Sequence, residues 1–549
     1  MAKVFADALA LAQERQISTE GDLGPLFQAP PPQVDAEVLR QLRFMYEAGG
    51  WVLVESALAD LPADLRWLFE SGAVTLAQLV ELHRTLGITS AADLAGELRR
   101  DAVRRVPGFD PGVEAAVGHA LKSLRAAIPR IPLGRAKSLV DPFLVELRRH
   151  AGILWAEPVG SLRRGQDSVG DIEIMAPAND PSIAFDAALE MPDITRCLHR
   201  GPRRLYVLTD RVQIGIRSPQ PAVAGGMFLY LTGSPGHVEA LGARAAERGW
   251  KLEPEGLVKV SGSPAISETE EEIYAALGLP WIPPEIRNGD GEIAAAAEGA
   301  LPALVSRTDI KGDLHMHTHF SDGRDTVEAM VAGCAALGYQ YLAITDHSPH
   351  SAASRNLSIE SVKRQADEIA KLRAKYPGIT ILHGCEVDIL LDGRLDFADR
   401  ILQEFDIVLA SLHESGGQPP DQLMRRYVAA MRHPLVTIIT HPTNRVIPYR
   451  RGYELDYERL FASAVETRTV VEIDGAPSHL DLDSTLARHA AKAGATLVIN
   501  SDSHRADLLE RQMELGLLTA RRGWIEPRHV LNTRPIGEVR EVIAAKRSV

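Results

Sequence analysis

Between Lys311 and His504, six apolar runs each stop at a histidine or an acid. They are KGDLHMH at His315 and His317, YLAITDH at His347, ITILHGCE at Glu386, DIVLASLH at His413, TIITH at His441, and LVINSDSH at Asp502 and His504. Each is a short aliphatic and β-branched run, followed by a stretch of amphipathic helical period. That is the pattern of a strand buried on both faces in a parallel sheet. A seventh run, TVVEID, ends at Glu472 and Asp474. Strand ends on one rim of a β/α barrel are where such a fold carries its chemistry.

The chain has 549 residues, so it is expected to hold several cores, about three or four units. Its 45% hydrophobic and 24% charged residues are those of a soluble globular protein. The opening MAKVFADALALAQERQ is charged throughout and reads as an amphipathic helix rather than a secretory signal. No run approaches the roughly 18 uninterrupted apolar residues of a membrane span. Cys197, Cys334 and Cys385 are widely separated, which excludes a disulfide framework or a CxxC metal site and makes a reducing cytoplasm the expected compartment. The net charge of -13 speaks against nucleic acid as a partner, but from Glu97 to Arg164 there are 13 Lys/Arg against 7 Asp/Glu, a local excess of +6. A basic stretch ahead of an acidic metal site fits a phosphodiester substrate, and equally a solvated helix face.

Pro and Gly punctuation places the breaks. QAPPPQ reads as a linker, residues from about 34 to 130 read as helical with turns at SGAVT and VPGFDPG, and short strands alternate with helices from about 150. The boundaries expected are 1–130, 131–290, a connecting segment 291–308, and 309–549.

His315 and His317 lie two apart on a strand, so both point to one face and can grip one ion. Asp322 falls in the loop that follows. With His347, Glu386, His413, His441, Asp502 and His504 they make nine candidate ligands. One ion needs four to six, so two or three divalent ions are implied, with a bridging carboxylate. Imidazole with carboxylate and no thiolate suits Zn, Mn or Fe and speaks against a structural zinc. Clustered metals of this kind hydrolyse phosphate esters. His319, His350, His383, His433, His479 and His489 lack a partner pattern and read as packing or surface residues. Asp346, beside His347, reads as orienting the loop.

GDLHMHTHFSDG, AITDH, GCEVDIL, ASLH, THP and INSDSH resemble the successive motifs of the polymerase and histidinol phosphatase (PHP) domain, from about Lys311 to the C-terminus. The resemblance implies a distorted (β/α)7 barrel and a trinuclear site on the nine positions, with Glu386 bridging. It also implies phosphoesterase chemistry by a metal-bound hydroxide, with His315, His317, Glu386 and Asp502 central to catalysis and Mn favoured for activity. The tail TARRGWIEPRHVLNTRP resembles the version attached to bacterial family X DNA polymerases, which narrows the substrate to DNA.

Upstream, GSLRRGQDSVGDIEI resembles the nucleotidyltransferase signature of the same polymerases, as do LTGSPGH and IYAALGLPWIPPEIR after it in the expected order. The implied middle region is an α+β palm and thumb, after a helical region with degenerate helix-hairpin-helix turns. Gly160 and Ser161 with Arg163 and Arg164 would cradle a triphosphate, and Asp171 and Glu173 would bind a divalent ion. Two departures stand out. VQIGIRS has Gly215 where the family has its third aspartate, and Glu173 replaces an aspartate. Asp210, five residues earlier, falls on the opposite face. Two-metal transfer needs that third carboxylate, so polymerase activity is expected to be absent or very weak.

The expectation is therefore a metal-dependent nuclease acting on DNA 3' ends or abasic sites in repair. The alternatives are a PHP phosphatase on a small phosphomonoester and a DNA-binding scaffold.

Overall fold

The computed structural model describes residues 76–88, 102–127, 130–209, 212–259, 267–351, 355–413 and 417–548, with isolated positions before residue 102. Most of the opening helix, the QAPPPQ linker, the Gly72 turn and Asp210 lie outside them. Two compact units form, one from Met1–Pro129 with Phe185–Arg217, the other from Arg130–Ala184 with Ser218–Val549. Among the described residues no helix is long and apolar enough to cross a membrane.

The first unit holds helices Leu76–Leu86 and Pro111–Ala127. The second of these starts in VPGFDPG, where Asp110 Oδ1 accepts from Gly112 and Val113 N at 2.7 and 2.8 Å, capping the free amides of its first turn. Strands Ile194–Arg200, Arg204–Thr209 and Val212–Arg217 form an antiparallel meander in which Gly215 pairs with Tyr206.

The second unit begins with helix Leu133–Leu147 and the antiparallel pair Glu157–Pro158 and Ile172–Met175. Helices Ala224–Thr232, Pro235–Glu247 and Glu270–Ala276 then enclose Leu229, Leu241, Leu257, Ile273 and Tyr274.

From residue 312 the same unit forms seven parallel strands in sequential order: β1 Gly312–Asp313, β2 Tyr341–Ile344, β3 Thr380–Asp388, β4 Ile407–Ser411, β5 Val436–Ile439, β6 Val470–Asp474 and β7 Leu497–Asn500. Past their ends, a parallel bridge between Met316 and Ser503 joins the first strand's continuation to the last, closing the ring. Helices follow the strands outside: α1 Val327–Ala336, α2 Ile359–Lys375, α3 Asp399–Leu402, α4 Pro420–Arg432, α5 Tyr457–Glu466, α6 Ser484–Lys492 and α7 Leu509–Arg522, and a last helix, α8 Ile536–Arg547, completes the chain. The apolar runs are continuous because both strand faces are buried. Leu314, Tyr341, Ala343, Leu382, Ile407, Leu409, Ile438, Val470 and Val498 form an inner cluster with Val539 and Ile543 of α8. The alternate residues pack outward against the helices.

Candidate metal centre

The parity of the strands aims the ligands. Leu382 faces the inner cluster, so Glu386, four residues on in β3, faces the interior too, while Cys385 and Val387 pack outward. Ile407 and Leu409 set the same direction for Ser411 and, just past β4, His413. Val470 sets it for Glu472 and Asp474. His441 and Asp502 follow β5 and β7 with positive φ, 24° and 49°, as does Asn444 at 50°. Non-glycine residues in the left-handed region are costly and gather at functional sites. β1 ends at Asp313, so His315 and His317 lie beyond the strand proper, yet their Nε2 atoms stand 3.1 Å apart. Gly323 lets the Asp322 loop lie close, since a Cβ there would sit 2.5 Å from the His317 backbone.

Three overlapping groups of potential ligand atoms result: His317, Asp322, His347 and His504; His315, His317 and Asp502; and His347, Glu386 and His413. His441 joins them through Glu386, its Nε2 2.8 Å from Oε1. All nine sequence candidates thus converge on one rim. Two of the facing carboxylate oxygens are left without a hydrogen bond. Glu386 Oε2 is buried and accepts no hydrogen bond, although His347 Nδ1 is 2.9 Å away and His315 and His317 Nε2 are at 3.4 and 3.5 Å. Asp502 Oδ1 is likewise orphaned, 3.0 Å from His317 Nε2. Buried carboxylate oxygens without hydrogen bonds are costly, and a divalent cation satisfies them along with the imidazole lone pairs. The donor set fits divalent metals.

The electrostatics hold the carboxylates ionised against one neutral ring and several rings whose pKa the carboxylates raise against burial. Burial and the neighbouring rings of His347 and His504 push His317 down to about 4, so it offers a lone pair at neutral pH. Burial opposes ionisation of Glu386, yet His347, His315 and His413 hold its pKa well below the usual carboxylate range. Burial also opposes charge on His504, but Asp322 and Asp502 raise it to about 9.

Residues behind the ligands orient them. His315 Nδ1 lies 2.8 Å from Glu472 Oε1, which also accepts from Asn500 Nδ2 at 2.8 Å, and Glu472 Oε2 accepts from His441 N at 2.9 Å. His413 Nδ1 meets Asp388 Oδ1 at 2.9 Å. These carboxylates turn each Nε2 toward the centre. Glu472 is visible in sequence only as the end of the seventh run, and Asp388 only as the residue two past Glu386. Asp474 is buried with them, and burial with the Asp502 and Glu472 carboxylates raises its pKa well above the usual range. Asp346 accepts from Thr318 N and Oγ1 at 2.7 and 2.6 Å and from Gln365 Nε2 at 2.6 Å, so it ties down the Asp322 loop. Of the histidines without a sequence pattern, His433 meets Asp399 at 3.2 Å and His383 is buried against Gln365. His479, by contrast, stacks on His441 with centroids 5.8 Å apart.

The nucleotidyltransferase motif is built differently. Gly160 takes φ 64° and opens the short helix Gly160–Arg163 that carries Ser161. Arg163 is committed to Glu270 at 2.7 and 2.9 Å and lies 3.4 Å over the Phe228 ring. Arg164 donates to Thr232 O at 2.6 Å, and burial beside Arg522 and Arg130 lowers it to about 10. Asp171 is exposed just before strand Ile172–Met175, and half-buried Glu173 lies within it. Asp167, in the same motif, reaches the barrel. It accepts from Arg445 Nη1 at 2.7 Å and pairs with Arg522.

The family model described as DNA polymerase beta thumb matches residues 227–288, and the PHP domain model matches residues 313–455. The chain is 34% identical over 490 residues to the DNA polymerase/3'-5' exonuclease PolX of Bacillus subtilis, covering 88% of this chain and 85% of that protein. A probable phosphatase of Thermoanaerobacter sp. is 29% identical over 43% of this chain and 95% of its own length. A probable phosphatase of Syntrophotalea carbinolica is 29% identical over 37% and 84%. With a polymerase beta-type thumb ahead of a PHP barrel, and that likeness along most of its length, the chain belongs to the PolX family of bacterial family X DNA polymerases.

Proposed function

We propose that the chain hydrolyses DNA phosphodiesters at the barrel rim, on single-stranded 3' ends or abasic sites during repair in the bacterial cytoplasm, and that its nucleotidyltransferase half synthesises DNA very weakly or not at all. The family makes it a metal-dependent hydrolase. The observation that carries the reading is the orphaned pair Glu386 Oε2 and Asp502 Oδ1, buried among imidazoles with no hydrogen bond to satisfy them. Two or three divalent ions, Mn for activity with Zn or Fe as alternatives, would be held by His315, His317, Asp322, His347, Glu386, His413, His441, Asp502 and His504. When bound, such ions supply Lewis acidity toward phosphoryl oxygens and lower the pKa of water. The chain's own part is positional. Glu472 and Asp388 fix the ring orientations, and buried Glu386 and Asp502 stay ionised. The more exposed Asp322 and His504 form the side open to solvent.

Purified chain with Mn should shorten a labelled single strand, and His315→Ala with His317→Ala should abolish this. Primer extension should give no incorporation, and clear incorporation would overturn the argument from Gly215. The probable phosphatases, alike over 43% and 37% of this chain and most of their own lengths, favour a second reading, hydrolysis of a small phosphomonoester. Release of phosphate from monoesters with internal diesters left intact would select it. DNA retention with neither activity would leave a scaffold.

A further inference from the structure

The loop after β5 passes the candidate metal ligands and folds back as a tight hairpin. Val446 and Arg450 bridge antiparallel, with N to O distances of 2.9 and 2.7 Å, so Ile447, Pro448 and Tyr449 form the tip. The tip is held from both sides. Ile447 N donates to Ser478 O at 2.7 Å, and Arg450 donates to Asn444 O and Oδ1 at 3.0 and 2.7 Å. Its base is joined to the metal centre. Arg445 Nε donates to His479 O at 2.8 Å, His479 Nδ1 meets Arg445 O at 2.8 Å, and the His479 ring stacks on His441.

On this braced tip Tyr449 is 88% exposed, the highest of the large exposed apolar side chains among the described residues. Scattered exposed apolar residues such as Leu391 and Val465 need no explanation. Tyr449 differs in three respects. Its backbone is fixed, its ring has few rotamers to lose, and Arg450 and exposed Arg451 follow it. The Arg450 guanidinium is taken up by Asn444, so exposed Arg451, two residues after Tyr449, is the cation the tip offers. An exposed aromatic ring with an arginine close by in the chain is the chemistry that receives a nucleobase and a phosphate of a single strand.

We propose that the Val446–Arg450 hairpin is a strand rest, with Tyr449 stacking on an unpaired base of the nucleic acid while Arg451 contacts its phosphates. The assignment rests on the reading of this chain as a DNA phosphodiesterase. It predicts that bases, and not only phosphates, contribute to substrate recognition at the rim.

The test measures kcat and KM of the full Mn-loaded chain on an oligothymidylate and on an equally long strand of tetrahydrofuran abasic units. Wild type should prefer the base-bearing strand by roughly 5- to 150-fold, the range of one stacked base. Tyr449→Ala should erase that preference through KM, and Tyr449→Phe should keep it. Arg451→Ala should weaken both strands alike. A preference that survives Tyr449→Ala, or a wild type that has no preference or prefers the abasic strand, overturns the proposal while leaving the nuclease reading standing. A wild type that cleaves neither strand removes that reading, and the strand rest with it.

Discussion

Glu386 in the barrel and Glu270 in the thumb-like region are both buried carboxylates surrounded by nitrogen. Glu270 Oε1 accepts from Arg163 and Arg287 at 2.7 and 2.5 Å, and Oε2 from Arg163, Arg287 and Trp281 at 2.9, 3.0 and 3.1 Å. Every lone pair is taken by a donor, four of the five contacts coming from permanently charged guanidinium groups. Glu386 Oε1 has Thr440 and His441 at 3.0 and 2.8 Å, but Oε2 has no donor aligned with it. A saturated carboxylate is structural, whereas one left open among imidazoles is a place for a cation. Burial and depressed pKa alone do not separate the two, because Glu270 is also held down, to about 2, by Arg163 and Arg287 against its burial.

The comparison breaks most visibly at the ligands. Glu386→Gln should lower phosphoesterase activity by at least roughly 10³-fold, the upper end of the loss from removing one electrostatic stabiliser. Metal content, measured by elemental analysis, should fall with it. If both are unchanged, Glu386 is no more functional than Glu270.

Glu270→Ala should instead act on stability, by about 3–5 kcal/mol, because it leaves the buried Arg287 guanidinium and the half-buried one of Arg163 without their carboxylate. Denaturant melts followed by Trp fluorescence can read this, since Trp281 donates to Glu270. The sign with pH follows from the depressed pKa. The folded carboxyl titrates near 2 and the unfolded one near 4.5, so the contribution is complete above 4.5 and is lost as pH falls toward 2. Glu270→Gln should flatten that acid limb.

Glu472→Gln removes an orienting carboxylate rather than a ligand. It should cost about 10–100-fold in metal affinity or activity, seen in a Mn titration. Asp167→Ala, which removes one of the partners of Arg445 behind the strand-end loop, should have the smallest effect. A coupling of about 0.5–2 kcal/mol would appear as a raised Mn requirement. No change there would make the Asp167 contact a packing feature only.

Much of the barrel was legible because its signals are local. A strand buried on both faces must be continuously apolar, and the chain must change character where the strand meets the rim, so His347, His413, His441 and Asp502 announce themselves within a few residues. The brackets around them are not local. Glu472 reads as one more strand end until His315, 157 residues away, places its Nδ1 against it. Asp388 looks like a strand residue until His413 arrives beside it. In GSLRR the reverse occurs: Arg163 reads as a phosphate ligand, and Glu270, 107 residues on, has already claimed it.

By itself, the sequence determined which side chains stand at the strand ends, because side-chain direction along a strand follows from its two-residue period. Only the tertiary structure decided which of those groups share lone pairs and which buried carboxylates are already satisfied. It also decided that Asp167 braces the loop carrying Tyr449. These outcomes depend on distances between chain segments far apart in sequence, and hydrogen-bond satisfaction is settled only when the last partner is in place.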